Sequence, residues 1–356
     1  MTLRAVLMGT GFWAGSAHLP ALRAQPGLEV TTVVGRTLES ASAFAREHSI
    51  PSASGSLDEV IERGTPDLIV IVAPDDIHPQ ATRAAIAAGI PVFCEKPLAN
   101  EASVAHELAG LAAAAVVPAT VGYSFRYSPA LQALRADLVS GRLGDPWLIE
   151  LFEYNAQFHP ANGKPMNWKG DPAHAKAGAI YEYGSHVVDI AGWLVGPPRA
   201  VSTSFTRVLP GARLDDIATL QLRFDPPAIG VLVAGWVLSG SIPGIRVRLH
   251  GSAGLGEVVL SETIPSRQTY RRYRLDGSIQ DEPALEPLGD PRSGYAERHI
   301  ADFIASISGR QPRFPSTLPT LADGARVQDV LETALNATER WGLVGASTHE
   351  VEEVPK

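Results

Sequence analysis

Short apolar runs alternate with amphipathic, alanine-rich stretches from the start of the chain to about Tyr123. Arg4–Met8 predicts a strand, followed by a glycine-rich turn from Gly9 to Gly15 and a helix to Arg23. Leu28–Val34, Leu68–Val72, Val92–Cys94 and Val116–Val121 predict further strands, with helices over Leu38–Glu47, Pro79–Ala88 and onward from Glu101. Apolar, β-branched runs without polar alternation, set between helices, indicate parallel strands covered on both faces. The series predicts a doubly wound parallel sheet over residues 1–122, with its ligand beyond the carboxyl ends of the strands.

Past Tyr123 the pattern changes. Pro129–Ser140 reads as a helix closed by Gly141. Trp147–Tyr154, Val201–Val208, Ile217–Phe224, Gly230–Val237, Ile245–His250 and Gln268–Leu275 then read as strands with few helices between them. Polar residues alternate within them (Gln221 and Arg223; Arg246 and Arg248), as in an antiparallel sheet with one face buried and one wet. Helices return over Tyr295–Ser306 and Leu318–Glu339, and long loops cover Asn155–Gly178 and Asp281–Gly294. The expectation for residues 123–356 is an α+β domain: an open, mostly antiparallel sheet with helices on one face.

A length of 356 residues agrees with two domains, and 45% apolar with 19% charged residues agrees with a globular interior. A net charge of −8 argues against nucleic acid and anionic membranes as partners. Cys94 is the sole cysteine, so no internal disulfide forms and a reducing compartment fits. The chain enters its first strand without a secretory pattern, and its apolar runs are too short for a bilayer, so a cytoplasmic protein is expected. The ten histidines show no metal-ligand spacing, and no metal is expected.

Chemistry enters with the turns that follow the strands. Gly9-Thr10-Gly11-Phe12-Trp13-Ala14 stands between the first strand and helix, where the first glycine permits the turn and the second lets backbone approach a pyrophosphate. The second strand ends in Val34-Gly35-Arg36-Thr37 with no carboxylate for a ribose 2′-hydroxyl, and Arg36 and Thr37 suit a 2′-phosphate. NADP(H) is therefore favoured and NAD(H) left open. Cys94-Glu95-Lys96-Pro97 ends another strand on the same edge, where a lysine can stabilise an alkoxide. An ordinary surface lysine is the other reading. Glu182, His186 and Asp189 share one face if their segment is helical, and a carboxylate beside an imidazole makes a general base. A buried histidine satisfied by an acid is the alternative.

These motifs occur in one order: the glycine turn, Ala73-Pro74-Asp75-Asp76-Ile77-His78, Glu95-Lys96-Pro97 and Glu182-x-x-x-His186-x-x-Asp189. Together they resemble the glucose–fructose oxidoreductase / inositol dehydrogenase / rhizopine-catabolism (Gfo/Idh/MocA) family. Gly122-Tyr123-Ser124-Phe125-Arg126-Tyr127 and Trp168-Lys169, which matches the family's Trp-Arg, extend the resemblance over nearly the whole chain.

The resemblance implies a Rossmann domain and an oxidoreductase moving hydride between nicotinamide and a secondary alcohol or ketone of a sugar, sugar derivative or cyclitol. Gly9, Gly11, Phe12 and Trp13 would cradle the pyrophosphate. Arg36 and Thr37 would meet the adenosine end, and Ala73, Pro74 and His78 would flank the ribose and nicotinamide. Glu95, Lys96, Arg126, Trp168 and Lys169 complete the implied cofactor set. Lys96, His186 and Glu182 would be catalytic, with His186 as the acid/base. Tyr123, Arg126, His159 and Asp189 would join Lys96 and His186 around the substrate. The Lys96–Pro97 peptide would be cis, and the C-terminal sheet would serve a homodimer or homotetramer. A non-catalytic cofactor-binding regulator and a redox-neutral NAD-dependent glycoside hydrolase are the alternatives. Three positions depart from the family: Glu182 for Asp, Lys169 for Arg, and Asp75 where Asn is frequent.

Overall fold

Burial on both faces selects the central strands of the first sheet. In a computed structural model describing residues 2–64, 66–173, 175–225, 227–238, 244–261, 268–288, 293–337, 340–342 and 351–353, all four residues of Leu68–Ile71 are buried. The sheet consists of β1 (Leu3–Met8), β2 (Leu28–Val34), β3 (Ser52–Ser54), β4 (Leu68–Ile71), β5 (Val92–Cys94) and β6 (Ala119–Val121). They are parallel in the order β3-β2-β1-β4-β5-β6. The order reverses between β1 and β4, the point at which open α/β sheets take their ligands. Met8 pairs with Ile71 there, so the turns after both strands leave the sheet side by side.

Two elements of this unit fall outside the elements expected from the sequence. Ser52-Ala53-Ser54 becomes a strand by pairing with Thr32–Val34 at the sheet edge. Leu57–Arg63 is a short helix started by Ser56, whose hydroxyl accepts the Glu59 N–H. The predicted strand from Val116 begins only at Ala119, because Val116 adopts a left-handed conformation that ends helix Ala102–Ala115.

The chain forms two compact units of interleaved segments: residues 1–136, 259–270 and 282–328, and residues 137–258, 271–281 and 329–356. Helix Ser293–Ile307 therefore belongs with the parallel sheet. Its Ala296, Ile300, Phe303 and Ile304, at helical spacing, share a core with Ala14, Leu19, Leu22, Val33 and Phe44. Burying a side chain such as Phe303 contributes about 1.5–3 kcal/mol. Helix Leu321–Asn336 starts later and ends earlier than its apolar pattern predicts, and Gly324 in it lets Leu98 approach closely. The predicted helix end at Glu339 lies outside the described residues.

A second sheet consists of β7 (Pro146–Tyr154), β8 (Ala200–Thr206), β9 (Ile217–Arg223), β10 (Ile229–Gly235), β11 (Gly244–Gly251), β12 (Gly254–Ser261), β13 (Gln268–Tyr273) and β14 (Ile279–Asp281). Their order is β14-β13-β12-β11-β7-β10-β9-β8, with β7 and β10 parallel inside an otherwise mostly antiparallel sheet. Ile149, Leu151, Leu220, Leu222, Leu232, Val247 and Leu249 are fully buried by the alternation of the strands. Among the described residues no helix is long and apolar enough to cross a membrane.

Candidate active site

The first group of site residues surrounds the reversal of the parallel sheet. Gly9 has φ +128, and a Cβ there would stand 2.1 Å from the Val72 carbonyl oxygen, so contact between the two turns demands glycine. Gly11 is different. A Cβ on it would meet nothing within 4 Å, so the protein's own packing gives no reason for glycine. Open space at the start of a helix is what a pyrophosphate needs for close approach, so the cradle fits a dinucleotide. Phe12 and Trp13 beside it are 64% and 50% exposed and in edge contact, large apolar surfaces available to a ligand. The following turn, Ala14–His18, is a π turn that passes into helix Leu19–Arg23.

The Glu95-Lys96-Pro97 turn leaves β5, the strand beyond β4 in the sheet order, and its Lys96–Pro97 peptide is cis. Glu95 fixes the turn from inside. One carboxylate oxygen accepts the Lys96 N–H at 3.0 Å, and the other lies 2.8 Å from His18 Nε2. Burial would raise the Glu95 carboxyl, but the His18 hydrogen bond and the His18 and Lys96 charges outweigh it and hold the group below its ordinary value. Gly122 completes the arrangement, since a Cβ there would stand 2.7 Å from the Glu95 carboxylate. Lys96 itself is half-buried, while Cys94 is a packed thiol donating weakly to the Glu95 carbonyl.

The second group lies in the other unit. Ile180–Gly184 is a π turn that runs into helix Ser185–Val195. From Ile180 to Ala191 every residue is buried except Glu182 and His186, one turn apart. A carboxylate and an imidazole with access to solvent, on an otherwise buried helix, can bind and exchange a proton. The Lys169 ammonium stands 2.5 Å from the Glu182 carboxylate, so two of the departures from the family pattern meet each other. The longer acid and the point-charge cation make one ion pair, which ties the long loop to the histidine segment.

Sequence reasoning missed the residues that hold this segment. Asp215 accepts the N–H groups of Gly178 and Ile180 at 2.7 and 2.8 Å, and its own backbone oxygen would collide with a Cβ on Gly178. Burial raises the Asp215 carboxyl despite those donors. Asp216 accepts from Val208, Leu209 and the Trp236 indole. Two adjacent acids leading into an apolar strand were the available signal. Replacing Asp215 by alanine strands two buried N–H groups and is expected to lower unfolding free energy by about 1–3 kcal/mol per group. Urea denaturation checks this, and an unchanged midpoint would contradict it.

The remaining predicted residues fall in different settings. Arg36 is exposed after β2, and Thr37 caps helix Leu38–Glu47 by accepting the Ser40 N–H. Ala73 is partly buried and Pro74 exposed. His159 is half-buried and accepts the Ala161 N–H. Tyr123, Arg126 and Asp189 are 1%, 4% and 3% exposed, so their surfaces are committed to packing. The Arg126 guanidinium faces Asp323 at 3.6 Å, tying the turn after β6 to helix Leu321–Asn336. The side chain of Trp168 lies outside the described residues. Among the described residues no group of three or more His, Cys, Asp or Glu is arranged to hold a metal ion.

Two family models match the chain: an oxidoreductase family with an NAD-binding Rossmann fold over residues 3–123, and a GFO/IDH/MocA C-terminal domain over residues 131–256. The 1,5-anhydro-D-fructose reductase of Ensifer adhaerens is 26% identical over 95% of this chain and 98% of its own. The myo-inositol dehydrogenase Hyg17 of Streptomyces leeuwenhoekii is 28% identical over 67% of this chain and 68% of its own. The crystal structure of an NAD binding oxidoreductase from Klebsiella pneumoniae superposes with a TM-score of 0.79 at 23% identity, covering 94% of this chain and 98% of that one.

Proposed function

Because the chain belongs to the Gfo/Idh/MocA oxidoreductase family, we propose that it transfers hydride between NADP(H) and a secondary alcohol or ketone of a sugar, sugar derivative or cyclitol. The observation that carries the chemistry is the exposure pattern of Ile180–Ala191, which opens only Glu182 and His186 to solvent. His186 takes the hydroxyl proton in oxidation and returns it in reduction. Lys96, held by Glu95, carries the cation that stabilises developing negative charge on the substrate oxygen. Glu182, paired with Lys169, sets the position of the loop and the electrostatics around the imidazole. A bound nicotinamide supplies the hydride donor or acceptor. Relatives named as a reductase and a dehydrogenase favour turnover over a purely regulatory role.

In this reading residues 1–122 bind the cofactor, and substrate recognition and assembly fall within 123–356. Phe152, Val233 and Arg246 are cross-strand neighbours on the face opposite the buried one, and this partly apolar face suits a homodimer or homotetramer. NADP(H) is the preferred cofactor on steric as well as electrostatic grounds. A Cβ at Gly35 would stand 2.7 Å from Ser40 Oγ and 2.9 Å from the Ala41 nitrogen, so no carboxylate fits at position 35. Arg36 is then the exposed side chain that meets a 2′-phosphate.

The test follows nicotinamide absorbance with NADP⁺ and NAD⁺ separately, against aldoses, sugar acids, anhydrosugars and inositols. NADP⁺ is expected to be preferred, and Arg36→Ala to cut the kcat/KM ratio of NADP⁺ over NAD⁺ by about 10–100-fold, as loss of a charge-assisted contact does. A preference for NAD⁺ that Arg36→Ala leaves untouched would refute the NADP(H) assignment.

A further inference from the structure

His78 sits at the start of helix His78–Ala87, is 1% exposed, and has no access to a ligand through its ring nitrogens. Nδ1 is 2.7 Å from the Pro97 carbonyl oxygen and Nε2 is 2.9 Å from the Ala73 carbonyl oxygen. A carbonyl oxygen only accepts, so each ring nitrogen must carry a hydrogen to make its bond. A neutral imidazole has one N–H and would turn a lone pair toward the other carbonyl in a buried site. We propose that His78 is a permanent imidazolium that clamps the Ala73-Pro74 turn to the Lys96-Pro97 turn, a positioning residue for Lys96 rather than a ligand of the cofactor.

The surroundings support the charge. Burial by itself would lower the His78 pKa, but the Asp75 carboxylate in its own turn and the hydrogen bond to the Pro97 carbonyl act against burial, and the pKa is raised. Asp75, the third departure from the family pattern, thereby acquires a role: its carboxylate offsets the buried cation. A cation in the first turn of a helix is mildly disfavoured by the helix dipole, a smaller effect than two charge-assisted hydrogen bonds. The clamp also complements the hold on the same turn from its other side. Glu95 grips the Lys96 N–H and is itself held by His18, while His78 grips the carbonyl of the next residue. Lys96 thus projects from a turn fixed on both flanks.

The role of His78 rests on the redox reading above, whereas its protonation state does not, so the two are tested separately. Long-range proton–nitrogen spectra of the ¹⁵N-labelled wild-type protein report both ring nitrogens of each histidine. His78 is identified by its nuclear Overhauser contacts to the Pro97 ring and the Ala73 methyl. Both of its nitrogens are expected to remain protonated from pH 6 to pH 9, where an ordinary histidine, with a pKa of about 6.5, has lost one proton. A single N–H at pH 8 would overturn the proposal regardless of any activity. His78→Gln, which can serve only one carbonyl well, is expected to lower kcat by about 10–100-fold through misplacement of Lys96. A folded His78→Gln protein with wild-type kcat would overturn the positioning role. Absence of turnover in the wild type, with both nitrogens protonated, would instead sink the redox reading and leave the clamp standing.

Discussion

Lys96→Ala is expected to abolish measurable turnover while leaving the nicotinamide cofactor bound. The lysine leaves β5 on a turn whose backbone is held by Glu95, with His18 behind it, and by His78 through Pro97. None of those bonds uses the lysine side chain, so its truncation keeps the turn in place. What disappears is the cation that, in the proposed reaction, stabilises the substrate oxygen, and loss of such stabilisation costs on the order of 10²–10³-fold in rate. The measurement pairs steady-state nicotinamide absorbance with a fluorescence titration of the reduced cofactor. Retained binding with turnover reduced by that factor or more is the expected result. Turnover within twofold of wild type would remove Lys96 from the chemistry. His186→Ala serves as the companion variant, since a missing general base costs about 10²–10⁴-fold.

The second large effect separates two glycines that look alike in the sequence. Gly9→Ala places a Cβ 2.1 Å from the Val72 oxygen and 2.7 Å from its carbonyl carbon, at a φ of +128 that L-residues avoid. Backbone cannot yield as a flexible side chain does, so the turn must move, at a cost of about 4 kcal/mol or more in stability. Gly11→Ala meets nothing within 4 Å, and its stability should stay within about 0.5 kcal/mol of wild type. Its loss should appear only in dinucleotide affinity, because the added methyl occupies the approach of the pyrophosphate. Thermal unfolding and cofactor titration of the two variants form the experiment. A Gly11→Ala protein that binds cofactor as tightly as wild type would undo the assignment of that turn to the pyrophosphate.

Much of the candidate site was legible in the chain because its chemistry sits at strand ends. A strand buried on both faces must be apolar throughout, so the glycine, proline or charged residues that follow it, at Gly9, Arg36, Pro74 and Glu95, mark where it leaves the core. The motif at Glu182 and His186 was legible for a related reason: four residues apart on a helix means one turn apart, and these two positions are the partly open ones of Ile180–Ala191. The setting of three further motif residues was not legible. Tyr123, Arg126 and Asp189 are polar or partly polar residues at motif positions, yet they are buried, and no spacing rule distinguishes a buried motif residue from an exposed one.

The sequence by itself determined the parallel sheet, the position of its turns and the two chemical clusters, since periodicity and turn chemistry are local properties of ten to twenty residues. Only the tertiary structure decided what holds those clusters. His18 meets Glu95 across 77 positions of chain, Asp215 reaches the segment of His186 from the loop before β9, and Lys169 meets Glu182 from a loop. Helix Ser293–Ile307 likewise returns to the core of the first sheet from almost 300 residues downstream. Such partners are chosen by burial: a carboxylate or imidazole withdrawn from water must find a donor or acceptor wherever the fold brings one, and that place is set by packing rather than by spacing.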